Sequence, residues 1–147
     1  MACLLSIATH YKKKGPLSEL AQAHVSIDSG VERDFRGKPG KRQVTVLSKE
    51  GWQAANAELG LSLSWLERRA NLYIEGLELQ GTAGKILKIG SLELLITRET
   101  DPCDRMKAVH TGLFDAMLKD WRGGVCCRVI HAGDIRVGDS VEIRDAE

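Results

Sequence analysis

Four cysteines are the residues of this chain best suited to covalent chemistry, and Cys103 differs from the others in its surroundings. It follows Pro102 in a short loop after a long apolar run, whereas Cys3, Cys126 and Cys127 fall inside apolar runs. Proline fixes its own φ and restricts the residue before it, so we expect a thiol held on a stiff loop. Loop residues of this kind are often functional, although a free cysteine can also be a small buried side chain.

The spacing of the cysteines and histidines argues against zinc and disulfide chemistry. The sequence contains no Cys-x-x-Cys pair and no His/Cys cluster with zinc spacing. Cys126 and Cys127 are adjacent, so in a strand they point to opposite faces and do not bridge readily. The four histidines are scattered, and we interpret each as a surface or core residue. We expect reduced thiols and a cytoplasmic location.

A reactive thiolate needs positive charge nearby, and the sequence around Cys103 does not supply it. Residues 98–107 contain three basic and three acidic side chains. Residues 32–42 contain five basic and two acidic side chains, together with two glycines. Arginine forks suit phosphate or carboxylate, and glycine lets the backbone approach a ligand closely. This loop is therefore either an anion site or a mobile, solvated segment.

Further polar candidates lie near two predicted strand ends. Arg68, Arg69 and Asn71 precede a central apolar run. Arg122 stands beside two glycines after a helical stripe, where it either reaches a ligand or caps the last carbonyls of the helix.

The composition fits one globular domain spanning residues 1–147, with 43% hydrophobic and 28% charged residues. The formal charge of +1 and the seven aromatic residues argue against nucleic-acid binding. No run approaches the roughly 18 apolar residues that a membrane span requires, so no membrane partner is expected.

Short apolar runs separated by turns predict a mostly β fold, either a barrel or a sandwich. Apolar residues at helical spacing predict two helices over residues 49–60 and 111–121. The predicted strands cover residues 3–9, 23–28, 43–47, 71–75, 85–89, 92–98, 124–131 and 140–144.

Several short motifs follow one another through most of the chain: residues 30–37 (GVERDFRG), 42–47 (RQVTVL), 69–77 (RANLYIEGL), 84–90 (GKILKIG), 102–106 (PCDRM), 122–129 (RGGVCCRV) and 133–141 (GDIRVGDSV). Their order resembles the MOSC domain, which is named after the C-terminal part of molybdenum cofactor sulfurase. Arg33 stands where that family commonly has glycine.

This resemblance implies a closed or partly open β-barrel like that of pyruvate kinase, with two or three short helices. It also implies that Cys103 carries sulfane sulfur or ligates the molybdenum of a pterin cofactor. The family's anion-binding positions correspond here to Arg33, Asp34, Arg36, Arg42, Asn71 and Arg122.

Three functions follow as expectations. The first is a sulfur carrier, in which Cys103 accepts sulfur from a donor such as a cysteine desulfurase; the short chain favours it. The second is a molybdenum-pterin enzyme that reduces N-hydroxylated compounds with electrons from a separate reductase; the basic loop favours it. The third is an inert binding module. An anionic small molecule is the expected ligand, and no pyridoxal phosphate site of the chain's own is expected.

Overall fold

The computed structural model describes residues 2–146, and over that range the protein is mostly β with three α-helices. None of the helices within that range is long and apolar enough to cross a membrane. The strands are β1 Cys3–Thr9, β2 Ser18–Leu20, β3 Gln22–Ser26, β4 Gly30–Val31, β5 Val44–Ser48, β6 Leu72–Glu75, β7 Ile86–Ile89, β8 Leu92–Glu99, β9 Val125–His131, β10 Gly133–Arg136 and β11 Val141–Arg144. The helices are α1 Lys49–Glu58, α2 Asp104–Val109 and α3 Leu113–Met117, with 3₁₀ turns at Trp65–Arg68 and Lys119–Trp121.

The strands form one large mixed sheet and one small sheet. The large sheet has the order β11-β7-β8-β9-β5-β6-β1-β2, and the small one has the order β10-β3-β4. β5 and β6 are parallel. On the outer edge of β1, β2 pairs with residues Ile7 to Thr9, and β11 approaches through an isolated bridge between Cys3 and Ser140. Because that bridge is not a continuous ladder, the sheet is partly open and not closed into a barrel, so of the two expected forms the partly open one is found.

All eight predicted strands are confirmed, with ends that differ by at most two residues. The three strands that the sequence did not predict are β2, β4 and β10, which have three, two and four residues. Such short segments show too little alternation for a period of two to be visible.

The two predicted helices are confirmed in part. α1 begins where expected, because the Ser48 hydroxyl accepts a hydrogen bond from the Gly51 N–H at 3.0 Å. The second helix ends early, at Met117, because Asp120 and Trp121 both have left-handed backbone conformations. α2 was not predicted.

Two hydrophobic cores hold these elements together. One fills the inside of the curled sheet, and the other lies beneath the helices around Trp52, Trp65 and Met106. Met106 is fully buried and belongs to α2. Its burial anchors the segment that begins at Cys103 to the second core.

Gly124, directly before β9, lies where the backbones of the sheet pack closely together. It has φ +88°, and a Cβ there would overlap the carbonyl oxygen of Val46. We expect Gly124→Ala to lower the free energy of unfolding by about 3 kcal/mol in urea denaturation. Gly138 is a matched control, since it has φ +100° and open space around it. Equal losses for Gly124→Ala and Gly138→Ala would contradict the packing argument.

Candidate functional site

A cavity of about 340 Å³ opens at one end of the large sheet, and positive side chains dominate its wall. Asp34 supplies a carboxylate, and Cys103 supplies a thiol. Seven lining residues are basic: Lys13, Lys14, Arg36, Arg42, Arg68, Arg69 and Arg105. In a protein with a formal charge of +1, this concentration of charge predicts an anionic ligand.

The register of the large sheet explains why distant segments meet at this cavity. One row of paired residues runs across five strands, from Ile7 through Leu72, Val46 and Val125 to Glu99. Each of the five strands begins or ends near this row. The loops next to the row therefore lie together at one edge of the sheet. That edge contains the end of β1, the start of β6 and the loop after β8.

The Cys103 thiol is exposed and lines the cavity. Its neighbour Pro102 is buried, and α2 begins directly after Cys103. The thiol is therefore held between the buried proline and the helix. The interpretation of Cys103 as a buried side chain therefore does not hold. By contrast, Cys126 and Cys127 are fully buried, and burial raises the pKa of the Cys127 thiol.

Arg68 is the basic residue buried most deeply in the wall, with 6% of its surface exposed. Its Nη2 donates hydrogen bonds to the carbonyls of Thr100 (3.4 Å), Asp101 (3.2 Å) and Gly123 (3.2 Å). Its Nε is buried and has no partner. Burial lowers the pKa of Arg68, and Cys103 acts in the opposite direction. Arg68 therefore ties the Cys103 loop to the Gly123 turn, while its Nε makes no hydrogen bond within the protein.

Asp34 and Asn71 use their polar atoms to hold the wall together. The Asp34 carboxylate accepts hydrogen bonds from the backbone N–H groups of His10 (3.1 Å) and Arg36 (3.2 Å). The Asn71 amide donates to the Ala8 carbonyl at 3.2 Å and accepts from the Thr45 N–H at 3.1 Å. Both side chains therefore link the strands and loops that form the cavity.

The structure gathers five of the seven predicted site residues at this cavity and places the other two elsewhere. The five are Cys103, Asp34, Arg36, Arg42 and Asn71. Arg33 points its Nη1 at the Tyr11 hydroxyl, 3.4 Å away, and its φ of 65° explains why glycine suits this position. Arg122 contacts Glu58 at 2.7 Å and caps the Ala116 carbonyl at 3.0 Å.

The cavity wall also contains residues outside the seven predicted site residues. Arg68 and Arg69 were candidates by their position in the sequence, but Lys13, Lys14, Arg105 and His10 were not. The run of three lysines at residues 12–14 was the available signal, since it begins soon after the end of β1. His10 gave no signal, because a lone histidine after a strand is compatible with many roles.

Comparison with known proteins places the chain in a family. The family model described as "MOSC domain" matches residues 12–142. The chain belongs to the MOSC domain family. The crystal structure of the YuaD protein from Bacillus subtilis superposes on this MOSC domain with a TM-score of 0.81 at 17% identity, covering 100% of this chain and 98% of that one. The crystal structure of YiiM from Geobacillus stearothermophilus superposes with a TM-score of 0.77 at 17% identity, covering 99% of this chain and 76% of that one. No curated protein matches.

Family membership makes this MOSC domain a molybdenum-cofactor-related protein, and its cavity residues fit such a group. The seven basic side chains and the unpartnered Arg68 Nε are donors suited to a phosphate. Within residues 2–146, no three His, Cys, Asp or Glu side chains come together as a metal site. If a metal is held here, the Cys103 thiolate is the soft ligand that the cavity wall would supply.

Arg42 and Arg122 give a direct test of which arginines belong to the anion site. Arg42 lines the cavity, whereas Arg122 is paired with Glu58. We expect Arg42→Gln in this MOSC domain to weaken sulfate binding about tenfold, the usual value of a hydrogen bond to a charged group. Arg122→Gln should leave the affinity unchanged. Isothermal titration calorimetry measures both, and equal effects would show that the cavity is not the anion site.

Proposed function

We propose that this MOSC domain binds an anionic molybdenum-pterin cofactor in the cavity, with the Cys103 sulfur beside it. The observation that carries the proposal is that one cavity wall contains both an exposed thiol and the buried Arg68, whose Nε has no partner. A buried donor without a partner is costly in the free protein, so a ligand acceptor at this point is favourable.

The charge of the wall supports a phosphate-bearing ligand in particular. Arginine binds phosphate through two parallel hydrogen bonds, and several arginines on one wall add geometric selectivity. The cofactor would supply the metal centre. The chain's own residues would hold the phosphate, orient the ligand and place the thiol. In an enzymatic form of this function, N-hydroxylated compounds would be reduced with electrons from a separate reductase.

The test is expression in a host that makes the cofactor, followed by analysis of the purified protein for molybdenum and pterin fluorescence. We expect both in similar amounts in the wild-type protein. Arg36→Glu reverses a charge in the cavity wall and should reduce the retained pterin at least about tenfold. Arg128→Glu reverses a charge on the exposed face of β9 and should retain the wild-type amount. A wild-type protein without metal and pterin would contradict the proposal.

A sulfur carrier is the second candidate, and the exposure of Cys103 favours it because a partner enzyme can reach the thiol. In the transfer step, the Cys103 thiolate attacks the outer sulfur of a donor persulfide. The donor S–S bond breaks, its inner sulfur leaves as a thiolate with the electron pair, and a new S–S bond forms on Cys103. The expected donor is a cysteine desulfurase.

Incubation with a cysteine desulfurase and cysteine tests this candidate. Mass spectrometry of the intact protein should show the added mass of one sulfur atom, located by peptide mapping to Cys103. A protein that acquires no sulfur, while it retains molybdenum and pterin, would contradict the carrier function and leave cofactor binding in place.

A further inference from the structure

The cavity wall contains a histidine, His10, whose role is not explained by thiol chemistry or by the basic side chains. His10 directly follows β1, and 7% of its surface is exposed. Its Nδ1 lies 3.3 Å from Asp34 Oδ1, but without hydrogen-bond geometry, and Nδ1 has no partner. A buried ring nitrogen without a partner is unfavourable, so this imidazole is poised to change its contacts when a ligand enters.

The charges that face His10 are unbalanced. Asp34 is the acidic group beside the ring, and the phenyl ring of Phe35 lies 6.1 Å away between centroids. Arg69, in the segment before β6, and Arg36, on the loop after β4, both act on His10 through their positive charge. The other charged residues of the wall are all basic: Lys13, Lys14, Arg42, Arg68 and Arg105.

These surroundings disfavour the charged form of the imidazole in the free protein. Burial is the largest effect that lowers the pKa of His10, and Arg69 and Arg36 lower it further, while Asp34 raises it. An anion in the cavity would offset the positive charges and offer an acceptor for a ring N–H. Both changes favour the imidazolium form.

We propose that His10 takes up a proton from solvent when an anionic ligand enters the cavity, and then donates a hydrogen bond to that ligand. An imidazolium donates from both nitrogens, so one N–H can face Asp34 and the other the ligand. This role rests on the proposed function, since it requires an anion in the cavity. In this role, His10 makes the affinity for the ligand depend on pH and on the acceptor atoms of the ligand.

The sign of the pH dependence follows from linkage. The pKa of His10 is below its ordinary value in the free protein, and the proposed hydrogen bond to the anion raises it in the complex. Affinity therefore increases as pH falls between the bound and free pKa values, by at most about tenfold per pH unit for one proton. Above the pKa that His10 has in the complex, the protonation of His10 no longer changes the affinity for the anion.

Sulfate is the probe, because its own charge stays constant across the range in which histidine titrates. Calorimetric titrations at about pH 6, in buffers with different ionisation enthalpies, give the number of protons bound with each sulfate. We expect wild-type protein to take up a large fraction of one proton. His10→Gln should bind sulfate without proton uptake. His24→Gln is the matched control, since His24 pairs with Asp134 at 2.7 Å in an exposed pair outside the cavity, and its uptake should equal that of the wild type.

NMR titration of the wild-type His10 ring provides a measurement that does not depend on a variant. Added sulfate should raise the titration midpoint of His10 by at least about one pH unit. Sulfate binding without proton uptake, and with an unchanged His10 midpoint, would overturn the role of His10 and leave the proposed function in place. Absence of sulfate binding at every pH would overturn both.

Discussion

Replacement of Arg68 by leucine is expected to lower the free energy of unfolding by about 3 kcal/mol and to abolish sulfate binding. The carbonyls of Thr100, Asp101 and Gly123 all lose a charged donor, and the wall loses its most buried cation. The loop that presents Cys103 would then no longer be tied to the Gly123 turn. Urea denaturation and calorimetry measure the two effects.

Two further variants separate charge from hydrogen-bond geometry at this position. Arg68→Lys keeps the charge but lacks the planar fork, so we expect an intermediate loss of both stability and affinity. Arg105→Gln removes an exposed cation of the same wall and should leave stability within about 0.5 kcal/mol of wild type. If Arg68→Leu unfolds at the wild-type urea concentration and binds sulfate normally, Arg68 is not the anchor of the site.

Cys103→Ser is expected to remove persulfide loading and to abolish molybdenum retention, while sulfate affinity stays within about twofold of wild type. Serine preserves the size of the side chain but provides neither a thiolate nucleophile nor a soft metal ligand. The variant therefore distinguishes the chemistry of the thiol from the charge of the wall. Intact-protein mass spectrometry, metal analysis and calorimetry give the three readouts.

Cys3→Ser is the matched control for this prediction. Cys3 is half-buried, and its sulfur contacts Glu75 at 3.7 Å, so it belongs to a different part of the sheet. The control should load sulfur and retain metal like the wild-type protein. Sulfur or metal found on the Cys103→Ser protein would show that another thiol carries the chemistry.

Most of the sheet was predictable because its longer strands are apolar runs separated by turns. The pattern did not show how the strand edges meet. β1 divides its outer edge between β2 and the bridge to Ser140, which depends on contacts distant in sequence. The helix expected to reach Trp121 ends early because Asp120 and Trp121 take left-handed backbone conformations. Neither residue is a glycine, so the residue types did not indicate these conformations.

The site was predictable where one local feature was enough. Pro102 beside Cys103 and the charge of residues 32–42 were readable directly. The burial of Arg68 and the contact of His10 with Asp34 depend on the register between strands, which residue types alone do not specify. Likewise, nothing next to Arg122 indicates that Glu58 of α1 will pair with it.

The central claim is that an exposed thiol shares a cavity with an excess of positive charge, and the charge preference of Cys103 alkylation tests it most directly. Rates with anionic iodoacetate and neutral iodoacetamide are measured at low salt and compared with those of an unstructured cysteine peptide. We predict that the iodoacetate to iodoacetamide ratio at Cys103 exceeds that of the peptide about tenfold, and that sulfate reduces it. A ratio equal to that of the peptide and insensitive to sulfate would contradict the account.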